Sequence, residues 1–123
     1  VEKNKVGSLH FGHWGEDLAA DYLKAKGYEI IEKHFFFHHT EIDLIARHGD
    51  YLVLVEVKTR SSAEFGPPEE ALTSRKKACL RRAAEGYLYL NHLDNIDCRF
   101  DVISISFKPD GSASIEHLEN AFE

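Results

Sequence analysis

Four charged side chains in one short stretch, Glu41, Asp43, Glu56 and Lys58, are of the types that do chemistry together. They lie in T-E-I-D-L-I-A-R-H-G-D-Y-L-V-L-V-E-V-K-T-R, which runs from Thr40 to Arg60. The stretch reads as two strands joined at His48-Gly49-Asp50, with apolar residues on both sides of the turn. Closing the turn over Arg47 to Asp50 sets Ala46 opposite Tyr51 and Glu41 opposite Glu56. Asp43 then falls opposite Leu54, diagonal to Glu56. Strand alternation puts Glu41, Asp43, Glu56 and Lys58 on one face at the end away from the turn. Ile42, Leu44, Val53, Val55 and Val57 take the other face. Like charges set opposite each other destabilise a sheet. A divalent cation removes that repulsion, and all-oxygen donors suit Mg²⁺ or Mn²⁺. A lysine beside such a cation orients water or steadies a phosphate oxygen, which are the parts of metal-assisted phosphodiester hydrolysis. The plain alternative is a solvated sheet face with ordinary mixed charges.

Other elements must hold this hairpin in place. A first helix is expected from about His13 to Lys26, stopped by Gly27, with Leu18, Ala19, Tyr22 and Leu23 as its apolar stripe. Glu16 sits in its first turn, either as a favourable charge at the positive helix end or as a carboxylate aimed into the site. Tyr28 to Glu32 reads as a strand. His34-Phe35-Phe36-Phe37-His38-His39 follows, with the phenylalanines favoured as core. The histidines, lacking zinc spacing, are read as surface or packing residues, as are His10 and His13 near Trp14. Residues 61–68 form a loop, and Pro68 with Glu69-Glu70 opens a short helical turn.

The second helix is expected from Thr73 or Ser74 to Leu90 with a hydroxyl cap, and Leu80, Ala83, Ala84, Tyr87 and Leu88 facing inward. Arg99 to Phe107 is a strand in which Asp101 pairs with Arg99 for structural reasons. Pro109-Asp110-Gly111 is a turn, and Ser112 to Leu118 an edge strand. The order αβββαββ gives an α/β domain with a mixed central sheet flanked by helices.

The length of 123 residues suits one domain spanning residues 1–123, with residues 1–7 expected to be frayed. No run is long and apolar enough for a membrane span, and nothing resembles a secretory signal, so a cytosolic protein is expected. The chain holds no methionine, so Val1 is not expected to be the translated start. Cys79 and Cys98 lack metal-site spacing and read as small buried hydrophobes. The net charge of −6 argues mildly against nucleic acid, but it is unevenly spread. Residues 47–82 hold 8 basic and 5 acidic residues, a net of +3, while the flanking segments carry −3 and −6. Arg60, Lys77, Arg81 and Arg82 are the candidate phosphate-binding cations. The alternative for the helix cations is a solvated basic face.

Asp43 followed by Glu56-Val57-Lys58 resembles the signature of the restriction-endonuclease-like, or PD-(D/E)XK, nucleases. The surrounding text is more specific. Gly12 to Leu23 (G-x-x-G-E-D-L-A-A-D-Y-L), Glu41 to Ala46 (E-I-D-L-I-A) and Leu52 to Arg60 (L-V-L-V-E-V-K-T-R) resemble the bacterial YraN family, as do Phe65 to Leu72 (F-G-P-P-E-E-A-L) and Arg99 to Ile103 (R-F-D-V-I). That family is grouped with the nuclease superfamily and likened to archaeal Holliday-junction resolvases. One departure is Thr40, where the family usually has Gly before E-I-D.

The resemblance implies a restriction-endonuclease-like domain, with Asp43 and Glu56 as metal ligands, Lys58 as the catalytic lysine and Glu16 as an additional acidic residue. The carbonyl of Val57 is a further candidate ligand, Glu16 is expected to complete the site by binding a second metal directly or through water, and Glu41 is an outer carboxylate. The expected activity is Mg²⁺- or Mn²⁺-dependent hydrolysis of DNA, with branched or junction DNA in view. Cutting a junction calls for two sites, and so for a homodimer. The competing expectations are a non-catalytic nucleic-acid-binding module on the same scaffold and an interaction protein holding a structural cation.

Overall fold

The computed structural model describes the backbone of residues 8–61 and 72–122, and their side chains apart from those of residues 8–13 and 61. Helix α1 covers Ser8–Ala25, strand β1 Glu29–Phe37, β2 Thr40–His48 and β3 Tyr51–Ser61. Helix α2 covers Ser74–Leu90, β4 Asp97–Phe107 and β5 Ala113–Phe122. The expected order of elements is therefore present. The readings made for residues 1–7, for most of the 61–68 loop, for the turn at Pro68 and for the side chains of His10 and His13 lie outside the described residues.

The five strands form one sheet in sequence order, antiparallel except for the parallel pair β3–β4. The parallel pair needs a crossover, and α2 lies within it. One helix covers each face, an architecture consistent with the restriction-endonuclease-like fold. Under α1 the core is Leu44, Val53, Val55, Ile103 and Ile105, packed on Ala19, Ala20 and Leu23. Under α2 it is Ile42, Ile45, Leu52, Leu54, Phe100 and Val102, packed on Leu80, Ala83, Ala84 and Tyr87. Thr73 caps α2, its hydroxyl accepting from the Lys76 N–H at 3.1 Å, as expected for a threonine placed before the first turn. Close approach of α1 to β3 depends on Gly15, because a Cβ there would lie 1.9 Å from Cγ2 of Thr59.

Several expectations need correction. Helix α1 begins well before His13, and β1 continues five residues past Glu32. The β2–β3 turn contains only Gly49 and Asp50, and His48 pairs with Tyr51. Gly49 supplies the positive φ, +62°, that such a tight hairpin needs at its first position. Continuing this register sets Asp43 directly opposite Glu56, not opposite Leu54. The slip is two residues, so the faces read for β3 survive it. Cys79 and Cys98 are half-buried free thiols rather than core residues. Phe35 is buried and Phe37 half-buried, but Phe36 is 64% exposed. No helix among the described residues is long and apolar enough to cross a membrane.

Candidate metal centre

The site arises from a break in strand alternation. In an even strand, residues two apart share a face. Here Lys33 reaches Asp17 of α1, whereas Phe35 packs edge-on against Tyr87 of α2. His34 between them has φ +55°, in the left-handed region that costs a side-chain-bearing residue about 1 kcal/mol or more. The neighbouring strand turns at the same level, where Lys33 pairs with Leu44 and Phe35 with Ile42. Leu44 packs under α1 and Ile42 under α2, so the expectation of a shared face for these two is overturned.

Strand β3 does not turn with them, for Val53, Val55 and Val57 all stay on the α1 side. Pairing of β2 with β3 consequently stops at Leu44–Val55. Beyond that point the Val57 N–H donates to Oδ2 of Asp43 at 2.8 Å, a side chain doing the work of a lost ladder partner.

Asp43 and Glu56 meet at this split. The cleft beside them has a volume of about 320 Å³ and is lined by His39, Thr40, Glu41, Asp43, Glu56, Lys76 and Cys79. Asp43 is 9% exposed, and burial together with the Glu56 charge pushes its carboxyl up to about 8. A hydrogen bond with Glu56 works in the same direction, and the Val57 N–H opposes it. Two carboxyls that share a proton in this way fit a small divalent cation, which would take the proton's place. Among the described residues no three His, Cys, Asp or Glu side chains form a ready metal cage. Mg²⁺ does not require one, since it keeps waters and substrate oxygens around one or two carboxylates.

The other expected residues distribute unevenly. Glu16 reaches the rim, where its Oε1 lies 2.8 Å from Nε2 of His34 while Nδ1 of the same ring lies 2.7 Å from Glu41. The imidazole thus ties helix α1 to strand β2, and the Glu16 charge is felt at Asp43. Reading His34 as a surface or packing residue missed this bridge. Lys58 is exposed on the same face of β3 as Glu56, beyond the residues that line the cleft. Arg60 is buried, 8% exposed. Lys77 and Arg81 lean over the Phe122 ring, at 5.7 and 5.3 Å from its centroid, and Arg82 is exposed with Nη2 3.4 Å from Sγ of Cys79.

Lys76 is the other side chain that sequence reading passed over. Its Nζ lies 2.9 Å from Oε2 of Glu56. Burial alone would lower the Lys76 pKa, but the hydrogen bond and charge of Glu56, with help from Asp43, raise it overall. A signal existed in the helix periodicity. Lys76 stands one turn before Leu80 on the stripe that continues through Ala83, Ala84 and Tyr87, so it faces the sheet.

A second polar cluster lies on the opposite face, under α1. Asp101, 1% exposed, accepts from Arg99 Nε at 2.9 Å, Arg99 Nη2 at 3.1 Å, Tyr28 Oη at 3.1 Å and the Asn120 N–H at 3.1 Å. His117 Nε2 adds a contact at 2.8 Å. Burial opposes its charge, yet His117, Arg99 and Asn120 hold the Asp101 carboxyl down at about 2. This is the structural role expected of Asp101, and the buried charge is paired as such charges must be.

A model of the uncharacterised protein family UPF0102 matches residues 15–105. A UPF0102 protein from Syntrophomonas wolfei is 48% identical over 111 residues, covering 90% of this chain and 96% of that protein. One from Flavobacterium psychrophilum is 43% identical over 111 residues, covering 90% of this chain and 92% of its own. One from Geobacter sulfurreducens is 42% identical over 120 residues, covering 95% and 94%.

Proposed function

This chain belongs to the uncharacterised protein family UPF0102, and from its acidic cleft we propose that it is a divalent-metal-dependent endonuclease that hydrolyses DNA phosphodiester bonds. The observation that carries the reading is the pair Asp43–Glu56, two facing carboxyls at a split between strands, one of them pushed up to about 8 by burial and by the other's charge. With Oδ2 of Asp43 committed to the Val57 N–H, its other oxygen and the Glu56 carboxylate would hold Mg²⁺ or Mn²⁺, with the Val57 carbonyl as a further donor. Bound there, the cation would supply water activation and offset the charge that builds on phosphate. Lys58 positions that water or a phosphate oxygen from the mouth of the cleft. Glu16 and Glu41, braced by His34, act from the outer shell. Lys77, Arg81 and Arg82 hold the DNA backbone away from the reacting bond. Branched DNA and a homodimer with two cleavage sites complete the proposal. The rival reading, a non-catalytic nucleic-acid-binding module, draws on the Lys76–Glu56 contact, which already answers one of the charges.

Cleavage of labelled duplex, single strand, flap and four-way junction with Mg²⁺, Mn²⁺ or chelator tests the reading. Asp43→Asn, Glu56→Gln and Lys58→Ala run beside the unaltered protein. The expected result is metal-dependent cleavage that falls by roughly 100-fold or more in each variant. A folded, metal-loaded protein that binds DNA and cuts none of the four would overturn the nuclease in favour of the binding module.

A further inference from the structure

Lys76 is a cation inside an acidic cleft, on a different element from the lysine of the E-V-K strand. It approaches from the first turn of α2, which Thr73 fixes by its cap, and ends 2.9 Å from a Glu56 oxygen. The contact is not a surface accident, for the Glu56 side chain is only 14% exposed. Within the cleft, the Lys76 ammonium is the cation placed against the Glu56 carboxylate.

We propose that Lys76 is the built-in counter-ion of the metal-free site and a second phosphate-contacting lysine of the loaded one. This rests on the nuclease reading for its second half only. In the metal-free protein the Lys76 ammonium holds Glu56 in place and limits its repulsion from Asp43. A divalent cation held by Glu56 would compete with Lys76 for that carboxylate and free the ammonium. Its flexible four-carbon stem then lets the ammonium follow the nearest new anion, a phosphate oxygen of the bound strand. The lysine thereby sets a threshold on metal binding, because the cation must outcompete it.

The test reads metal affinity and cleavage separately. Mn²⁺ alone is titrated into the full chain, and free Mn²⁺ is followed by electron paramagnetic resonance. Lys76→Ala and Lys76→Gln are compared with the unaltered protein and with Lys58→Ala, and circular dichroism confirms folding. Removing a part-buried competing ammonium should tighten Mn²⁺ binding by about fivefold in both Lys76 variants. Lys58→Ala should leave the affinity within about twofold, since Lys58 does not touch either carboxylate. Cleavage at saturating Mn²⁺ should nevertheless fall in the Lys76 variants, and Lys76→Arg should restore part of it. Unchanged or weaker Mn²⁺ binding in both folded variants overturns the counter-ion, as does an unaltered protein that takes up no Mn²⁺. Tighter binding with no cleavage by any form, unaltered protein included, upholds the counter-ion and overturns the nuclease reading. Tighter binding with cleavage undiminished upholds the counter-ion and overturns the phosphate contact.

Discussion

In Asp43→Asn, an amide takes the place of the proton that Asp43 shares with Glu56. The Asn oxygen still accepts the Val57 N–H, and its nitrogen still donates to Glu56, so the split between the strands keeps its strut. The ionisation penalty disappears. Asp43 has a folded pKa of about 8 against an ordinary value of 3.8, so the native state holds its proton more tightly than the unfolded chain does. Stability of the metal-free protein therefore falls as pH rises from about 4 to about 8 and levels off above that. At neutral pH some three units of that window have been crossed, an upper limit of about 4 kcal/mol. Solvent in the open cleft and the Lys76 charge beside Glu56 reduce it, and about 2 kcal/mol is the expected gain for the Asn variant. For a chain of this size that corresponds to a rise in Tm of roughly 6–10 °C. Thermal melts in chelator at pH 5, 7 and 9 measure it. The gain should be small at pH 5 and grow towards pH 9. Added Mg²⁺ should then raise the Tm of the unaltered protein but not that of the variant. A variant that melts lower at pH 9, or a gain that does not change with pH, would refute the account of the shared proton.

Two other perturbations test the scaffold. Asp101→Asn should cost about 2–3 kcal/mol at pH 7, because the folded carboxyl, at about 2, lies below its ordinary 3.8. That contribution is complete above about pH 4 and lost as pH falls through about 2, so urea midpoints of the two proteins should converge in acid. Gly15→Ala should cost about 1–3 kcal/mol by driving a methyl into Cγ2 of Thr59, and adding Thr59→Ala in the same chain should return most of the loss.

Much of the fold was legible from periodicity. The apolar stripes of both helices, the alternation of Phe100 and Val102 with Asp101 and Ile103, and the Asp101–Arg99 pair all emerged as expected. The motif resemblance to the YraN family is borne out by the UPF0102 membership. What failed did so for local backbone reasons. The hairpin register slipped because the turn was centred on His48-Gly49, whereas Gly49 takes the first position of a two-residue turn over Gly49-Asp50. Strand β1 was cut short at Glu32 because its two halves present opposite faces, and H-F-F-F-H-H has no single period to detect. Nothing in the side chain of His34 announces a left-handed backbone, so neither the kink nor the Glu16–His34–Glu41 bridge was foreseeable. Lys76 stood on the inward stripe of α2, but the charge reading of that helix settled on Lys77, Arg81 and Arg82.

The bond from the Val57 N–H to Asp43 has a use of its own. A backbone amide held by a side chain, not by a ladder carbonyl, feels every change in the charge of that side chain. The Val57 amide resonance should therefore shift when the Asp43 carboxyl loses its proton, and again when a cation occupies the cleft. It reports occupancy of the site from the protein backbone, without substrate and without turnover. It also explains why alanine is a poor choice at this position. Alanine would remove an oxygen donor and a strut across the strand split at once, and the loss of either would look the same in an activity assay.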